Sequence, residues 1–109
     1  MNYETPTERS VLKDMEAMTQ NTFHAVIKGK VQGVGYRVFA MQSARHHGVR
    51  GWVRNREDGT VELHAEGDEL VLTEFLTDLY RGPIMGHVAD IDIVWSTAEQ
   101  THSGFEIRR

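Results

Sequence analysis

The chain has 109 residues and no cysteine, and its charged side chains give a net charge of −4 with a sequence pI of about 5.8. This length predicts one domain that buries its own core, and the lack of cysteine excludes disulfides, thiolate metal sites and cysteine nucleophiles. No apolar run approaches the roughly 18–20 residues that span a bilayer, and the acidic balance counts against binding to nucleic acid. We therefore expect a cytoplasmic protein that has no membrane or nucleic-acid partner.

The first part of the chain, residues 1–21, has the character of an N-terminal extension, and residues 22–109 carry the patterns of a folded domain. Residues 5–8 match a capping box with proline at the first helical position, which favours a short helix in the extension. Met15 and Met18 are candidates for an alternative start of translation. We assign the extension no function.

The domain is predicted to begin with a strand at residues 23–27, where alternate side chains form an apolar face. A helix is predicted at residues 38–47, and Gly48 is a natural residue to end it. A second strand is predicted at residues 49–56.

A glycine-rich connection, residues 29–37, joins the first strand to this helix. Gly29, Gly33 and Gly35 permit a sharp turn that brings several backbone N–H groups to one point. The start of a helix adds free amides and the positive end of its dipole, and Arg37 adds a permanent forked cation. The segment therefore predicts an anion-binding loop, although a plain tight connection explains the glycines equally well.

The second half of the domain repeats the alternation of strand and helix. Asp58 and Gly59 predict a hairpin turn, which leads to a third strand at residues 61–66. Asp68 is a candidate N-cap for a second helix, which Gly82 and Pro83 end. Apolar side chains at helical spacing form its core-facing stripe, namely Leu72, Phe75, Leu76 and Leu79.

Two strands complete the pattern, one at residues 89–95 and a short one at the sheet edge at residues 105–108. The order β-α-β-β-α-β plus a terminal strand predicts an α+β protein with a ferredoxin-like fold. This fold is a two-layer sandwich in which two helices cover one face of an antiparallel sheet. Because the fold hosts many functions, it does not assign one by itself.

Two segments together resemble the acylphosphatase family. Residues 27–37 contain G-x-V-Q-G-V, then any residue, an aromatic residue and arginine, as in the phosphate loop of that family. Residues 51–62 resemble its second motif, in which Asn55 lies near the end of the second strand before a glycine turn. The resemblance covers residues 23–109, and it departs at Tyr36, where the family usually has phenylalanine. A buried tyrosine hydroxyl needs a partner, which the sequence does not identify.

The resemblance implies hydrolysis of an acyl phosphate to a carboxylate and inorganic phosphate, without a metal ion or cofactor. It implies that Arg37 clamps the phosphoryl group and that Asn55 holds the attacking water. An amide suits this role because it exchanges hydrogen bonds without adding negative charge beside an anionic substrate. The implied phosphate-binding loop consists of Gln32, Gly33, Val34, Gly35, Tyr36 and Arg37.

Other interpretations remain beside the enzyme. A non-catalytic module of the same fold would hold a phosphorylated metabolite, and RNA-binding proteins share the order of elements. A related domain begins large carbamoyl-transferring maturation proteins, but the chain ends at Arg109, so we expect a stand-alone enzyme. We also expect it to be a monomer. His46 and His47 point about 100° apart on a helix, which argues against a shared metal site, and Asp90 and Asp92 predict a solvated strand edge.

Overall fold

A computed structural model describes residues 19–109. The predicted capping box at residues 5–8 therefore lies outside the described residues. The elements in chain order are β1 (Thr19–Lys30), α1 (Tyr36–His47), β2 (Arg50–Asn55), β3 (Val61–Gly67), α2 (Glu69–Arg81), β4 (His87–Glu99) and β5 (Phe105–Arg108).

The five strands form one sheet in the order β4-β1-β3-β2-β5. The first four pair antiparallel, and the predicted α+β ferredoxin-like fold is confirmed. The fifth strand differs from the antiparallel prediction, because β5 runs parallel to β2. The short loop 100–104 reverses the chain after β4 and carries it to the opposite edge of the sheet. Since β2 already runs opposite to β4, the returning strand must lie parallel to β2.

The core lies between the helices and one face of the sheet. Val61, Leu63 and Ala65 of β3 are fully buried, as the alternation predicts. On α2, three members of the predicted stripe have no exposed surface and Leu76 is partly buried. On α1, the buried positions are four residues apart, and they are Tyr36, Ala40 and Ala44.

The helix ends follow the turn chemistry of the sequence. Gly48 adopts a left-handed conformation with φ 72°, and its N–H bonds the last turn of α1. Asp68 occupies the N-cap position of α2, but its side chain makes no capping hydrogen bond. The α2 helix ends at Arg81, directly before Gly82 and Pro83.

Two strands, β1 and β4, are longer than the sequence predicts. β1 begins at Thr19, three residues before the predicted domain boundary, and continues through Lys30. Gly29 therefore lies in β1 rather than in the anion loop. It accommodates a shift in register against β4, where a Cβ would collide with the His87 carbonyl oxygen.

Edge strand β4 is largely exposed, and Asp90 and Asp92 are both exposed on it. Asp92 pairs with Lys28 at 2.8 Å. Within residues 19–109, neither helix is long and apolar enough to cross a membrane.

Candidate active site

The loop between β1 and α1 is shaped by two glycines. Gly33 and Gly35 have φ angles of 73° and 79°, which side chains rarely adopt, although a Cβ at either position would meet no neighbouring atom. Their requirement is therefore conformational rather than steric. Gly35 is the N-cap residue, and α1 begins at Tyr36.

The N-terminus of α1 is electrostatically positive. No side chain caps it, and its first turn contains no acidic residue, so its free amides are not neutralised locally. Arg37 lies in this first turn, and no carboxylate of residues 19–109 lies within 4.0 Å of its guanidinium. Free amides and an uncompensated guanidinium suit a bound anion.

Arg37 and Asn55 line the same cavity, which has a volume of about 460 Å³. Arg37 enters it from the start of α1 and Asn55 from the end of β2, so tertiary packing brings the two predicted residues together. Arg109 also lines the cavity and adds a second guanidinium that the sequence patterns did not single out. The other lining residues are Val31, Gly33, Gly35, Tyr36, Val38 and Ile107.

The side-chain oxygen of Asn55 is the most informative atom in this cavity. Asn55 Oδ1 is buried and has no hydrogen-bond partner among the described residues. Buried polar atoms are nearly always hydrogen-bonded, and an unpaired one costs about 1–3 kcal/mol. This acceptor suits a water molecule or ligand that donates a hydrogen bond from within the cavity.

Two members of the predicted phosphate loop have side chains engaged elsewhere. Gln32 Nε2 donates hydrogen bonds to the carbonyl oxygens of Arg56 at 2.7 Å and Thr60 at 2.9 Å. Val34 packs against the hydrophobic core. The side chain of Gln32 therefore ties the loop to the turn that follows Asn55, and it does not line the cavity.

Tyr36 has the partner that its hydroxyl requires. The side chain is 1% exposed, and its hydroxyl donates a hydrogen bond of 2.7 Å to the Leu79 carbonyl oxygen. Burial raises the pKa of Tyr36, so the phenol stays protonated and remains a donor. The tyrosine thus joins the first turn of α1 to the last turn of α2.

A second, mostly apolar groove of about 800 Å³ adjoins the cavity, and the two share Gly35 and Val38. Phe39, Pro83 and Ile84 also line the groove. The Ile84 side chain is fully exposed. The sequence offers only a weak signal for this groove, an isoleucine directly after a helix-ending Gly-Pro pair.

Comparison with known proteins supports one family. The acylphosphatase family model matches residues 23–107. An acylphosphatase from Salinibacter ruber is 42% identical over 95 residues, which cover 87% of this chain and 100% of that protein. An acylphosphatase from Cupriavidus pinatubonensis is 49% identical over 72 residues, which cover 66% of this chain and 80% of that protein.

A solved structure agrees with these sequence matches. The crystal structure of acylphosphatase from Bacillus subtilis superimposes with a TM-score of 0.79 at 36% identity, and the match covers 82% of this chain and 99% of that chain. The family resemblance of the two motifs is thus confirmed. The chain belongs to the acylphosphatase family, whose members hydrolyse acyl phosphates to a carboxylate and inorganic phosphate.

Proposed function

We propose that this enzyme binds the phosphoryl group of its substrate between the first amides of α1 and the Arg37 guanidinium. Asn55 then orients the attacking water. The observation that carries the proposal is the buried, unpaired Asn55 Oδ1, which lies in the same cavity as Arg37. An acceptor without a protein partner, beside a positively charged anion site, suits a water aimed at phosphorus.

The chemistry of an acyl phosphate makes few demands on the protein. Water attacks phosphorus, the bond from phosphorus to the acyl oxygen breaks, and a carboxylate leaves as a weak base without protonation. The proton of the water passes to a phosphoryl oxygen of the substrate. Positioning and charge neutralisation therefore account for catalysis, and no side chain needs to act as nucleophile or general acid.

A non-catalytic phosphate-binding module of the same fold is not favoured. Such a module would need the loop and Arg37, but it would gain nothing from an unpaired acceptor at Asn55. The combination of both residues in one cavity supports turnover as well as binding.

The proposed roles are tested by hydrolysis of benzoyl phosphate, with and without a chelator, beside a titration with inorganic phosphate. Asn55→Ala is expected to lose on the order of 10²–10³ in turnover, as for the loss of one preorganised group, while its affinity for phosphate stays. Arg37→Ala is expected to lower both the turnover and the affinity for phosphate. Arg54→Ala serves as the control, because Arg54 is exposed on the same strand and does not line the cavity. Near-normal turnover by Asn55→Ala would overturn the role of Asn55.

We also propose that the apolar groove receives the acyl part of the substrate. It continues from the phosphate cavity through Gly35 and Val38, so one molecule can occupy both. The fully exposed Ile84 then shields an apolar acyl group from water. The groove favours substrates with bulky apolar or aromatic acyl groups.

Ile84→Ser tests the acyl site, because an exposed side chain contributes little to folding. We expect KM for benzoyl phosphate to rise about threefold to tenfold, in line with the apolar area lost, while KM for acetyl phosphate stays the same. Leu70→Ser is the control, since Leu70 is 71% exposed on α2 and does not line the groove. An equal change for both substrates would contradict the assignment.

Four further features belong to this proposal. The enzyme acts as a cytoplasmic monomer, its hydrolysis needs no metal ion or cofactor, and it has no nucleic-acid partner. The net charge of −4 supports the last point, because nucleic-acid binders usually carry a basic excess. Light scattering on the eluted protein would give a mass near 12.4 kDa for a monomer.

A further inference from the structure

Three side chains that the active site does not use come together on the sheet face opposite the helices, and they are His64, Glu66 and His102. His64 and Glu66 are two residues apart on β3 and point to the same side, away from the core residues Leu63 and Ala65. His102 comes from the loop 100–104, which crosses this face on its way to β5.

The spacing of their atoms approaches that of a metal site. His102 Nδ1 lies 3.2 Å and 3.3 Å from the two carboxylate oxygens of Glu66, and His64 Nε2 lies 3.6 Å from Oε2. One ligand atom from each residue lies within 4.8 Å of the others. Ligands at about 2.0–2.2 Å from zinc are themselves roughly 3–3.6 Å apart, so small rotations of the imidazoles complete the geometry.

The carboxylate of Glu66 has an unusual environment for a negative charge. The side chain is 1% exposed, and no lysine or arginine of residues 19–109 lies within 4.0 Å of its carboxylate. Arg50 lies opposite Glu66 in the strand register, but it forms no ion pair with it. The carboxylate instead accepts hydrogen bonds from the backbone amides of Thr101 and His102. A buried carboxylate without a permanent cation gains from a bound cation.

The two imidazoles are suited to be ligands. Trp52 stacks against His64, with ring centroids 6.3 Å apart, and this contact restricts the orientation of the ring. A cavity of about 280 Å³ opens beside His102.

We propose that His64, Glu66 and His102 form a binding site for one zinc ion, which fastens the loop 100–104 to β3. Two imidazoles and one carboxylate are a ligand set that zinc accepts, with one position left for water. The site is separate from hydrolysis. It lies beside Trp52 in the first half of β2, whereas Asn55 ends that strand and lines the catalytic cavity.

The test is a calorimetric titration of the untagged, full-length protein with Zn²⁺ after treatment with a chelator. We expect saturable binding of one ion per chain. Because even the outer-shell partners of metal ligands contribute on the order of 10–100-fold in affinity, His64→Ala and His102→Ala should each weaken binding by at least about tenfold. His46→Ala and His87→Ala are matched controls, since both histidines are exposed and lie outside the group.

A thermal melt gives a second measurement that does not depend on activity. Zn²⁺ should raise the Tm of the wild type and of His87→Ala, and it should leave the Tm of His102→Ala unchanged. Circular dichroism of each variant without metal checks that it folds. The proposal is overturned if the wild type shows no saturable binding, or if both His64→Ala and His102→Ala bind Zn²⁺ as the wild type does.

Discussion

Tyr36 shows how one hydroxyl group is accommodated in the interior of the domain. Its ring is buried beside Phe39 at the start of α1, and its hydroxyl reaches the carbonyl of Leu79 in the last turn of α2. The last carbonyls of a helix have no partner within the helix, so the tyrosine satisfies one that would otherwise be unpaired. The departure from phenylalanine in the family motif thus adds a link between the two helices.

Tyr36→Phe is expected to lower the free energy of unfolding by about 1–2 kcal/mol, because it leaves a buried carbonyl without its donor. Turnover should stay close to that of the wild type, since the ring remains. Urea denaturation measures the change. Tyr80→Phe is the control, because it removes the same hydroxyl group from a side chain that is 48% exposed. Equal stability of the two variants would mean that the bond to Leu79 contributes nothing.

At the level of the elements, Gln32 connects the two halves of the candidate active site. Arg37 follows the β1–α1 loop, and Asn55 precedes the β2–β3 turn. The amide of Gln32 bonds two carbonyl oxygens of that turn. In the proposed mechanism, the distance between the bound phosphoryl group and the water held by Asn55 depends on this connection. We therefore propose that Gln32 is a positioning residue.

Gln32→Ala is expected to lower the turnover of benzoyl phosphate by about tenfold to a hundredfold, since small misplacements of reacting groups are costly. The affinity for inorganic phosphate should change less than turnover does, because the helix amides and Arg37 stay in place. Steady-state kinetics and phosphate titration separate the two effects. Gln100→Ala, at an exposed glutamine, should leave both unchanged. Loss of affinity without loss of turnover would show that the connection does not act through Asn55.

At the scale of the whole molecule, the Asp78 side chain of α2 links the two helices to each other. Its Oδ2 accepts hydrogen bonds from Ser43 at 2.7 Å and from His47 at 3.0 Å, and Arg81 lies 3.3 Å from Oδ1. The hydrogen bond from Ser43 is the main cause of the lowered pKa of Asp78. His47 and Arg81 lower this pKa further, whereas burial raises it. The ionised carboxylate therefore stabilises the folded state.

This shift predicts how stability depends on pH. The pKa of Asp78 is below its usual value of 3.8 in the folded protein. Its contribution is therefore fully present above that value and is lost as the pH falls through the lower, folded value. Asp78→Asn should lower the free energy of unfolding by about 1–2 kcal/mol at pH 7, and the difference from the wild type should shrink below about pH 4. Urea denaturation from pH 7 to pH 3 measures it, and a difference that is constant with pH would contradict the role of the charge.

The sequence alone predicted most of the fold because its signals are local. The stripe of α2, the alternation of β3 and the glycine end of α1 at Gly48 each depend on neighbours a few residues away, and the structure agrees with all three. The two motifs identified the family for the same reason, since each is a short run with a fixed spacing. Local spacing did not predict the strand ends, because pairing with β4 extends β1 back to Thr19.

The tertiary structure decided which distant groups meet. The bond from Tyr36 to Leu79 joins residues 43 apart, and His102 meets Glu66 across 36 residues. No local pattern encodes such distances, because they follow from the packing of the helices and from the path of the loop 100–104. The same path sets the parallel direction of β5 and buries Glu66. The sequence determined the elements and the residues of the proposed phosphate site, and the packing of these elements brought Arg37 and Asn55 to one cavity.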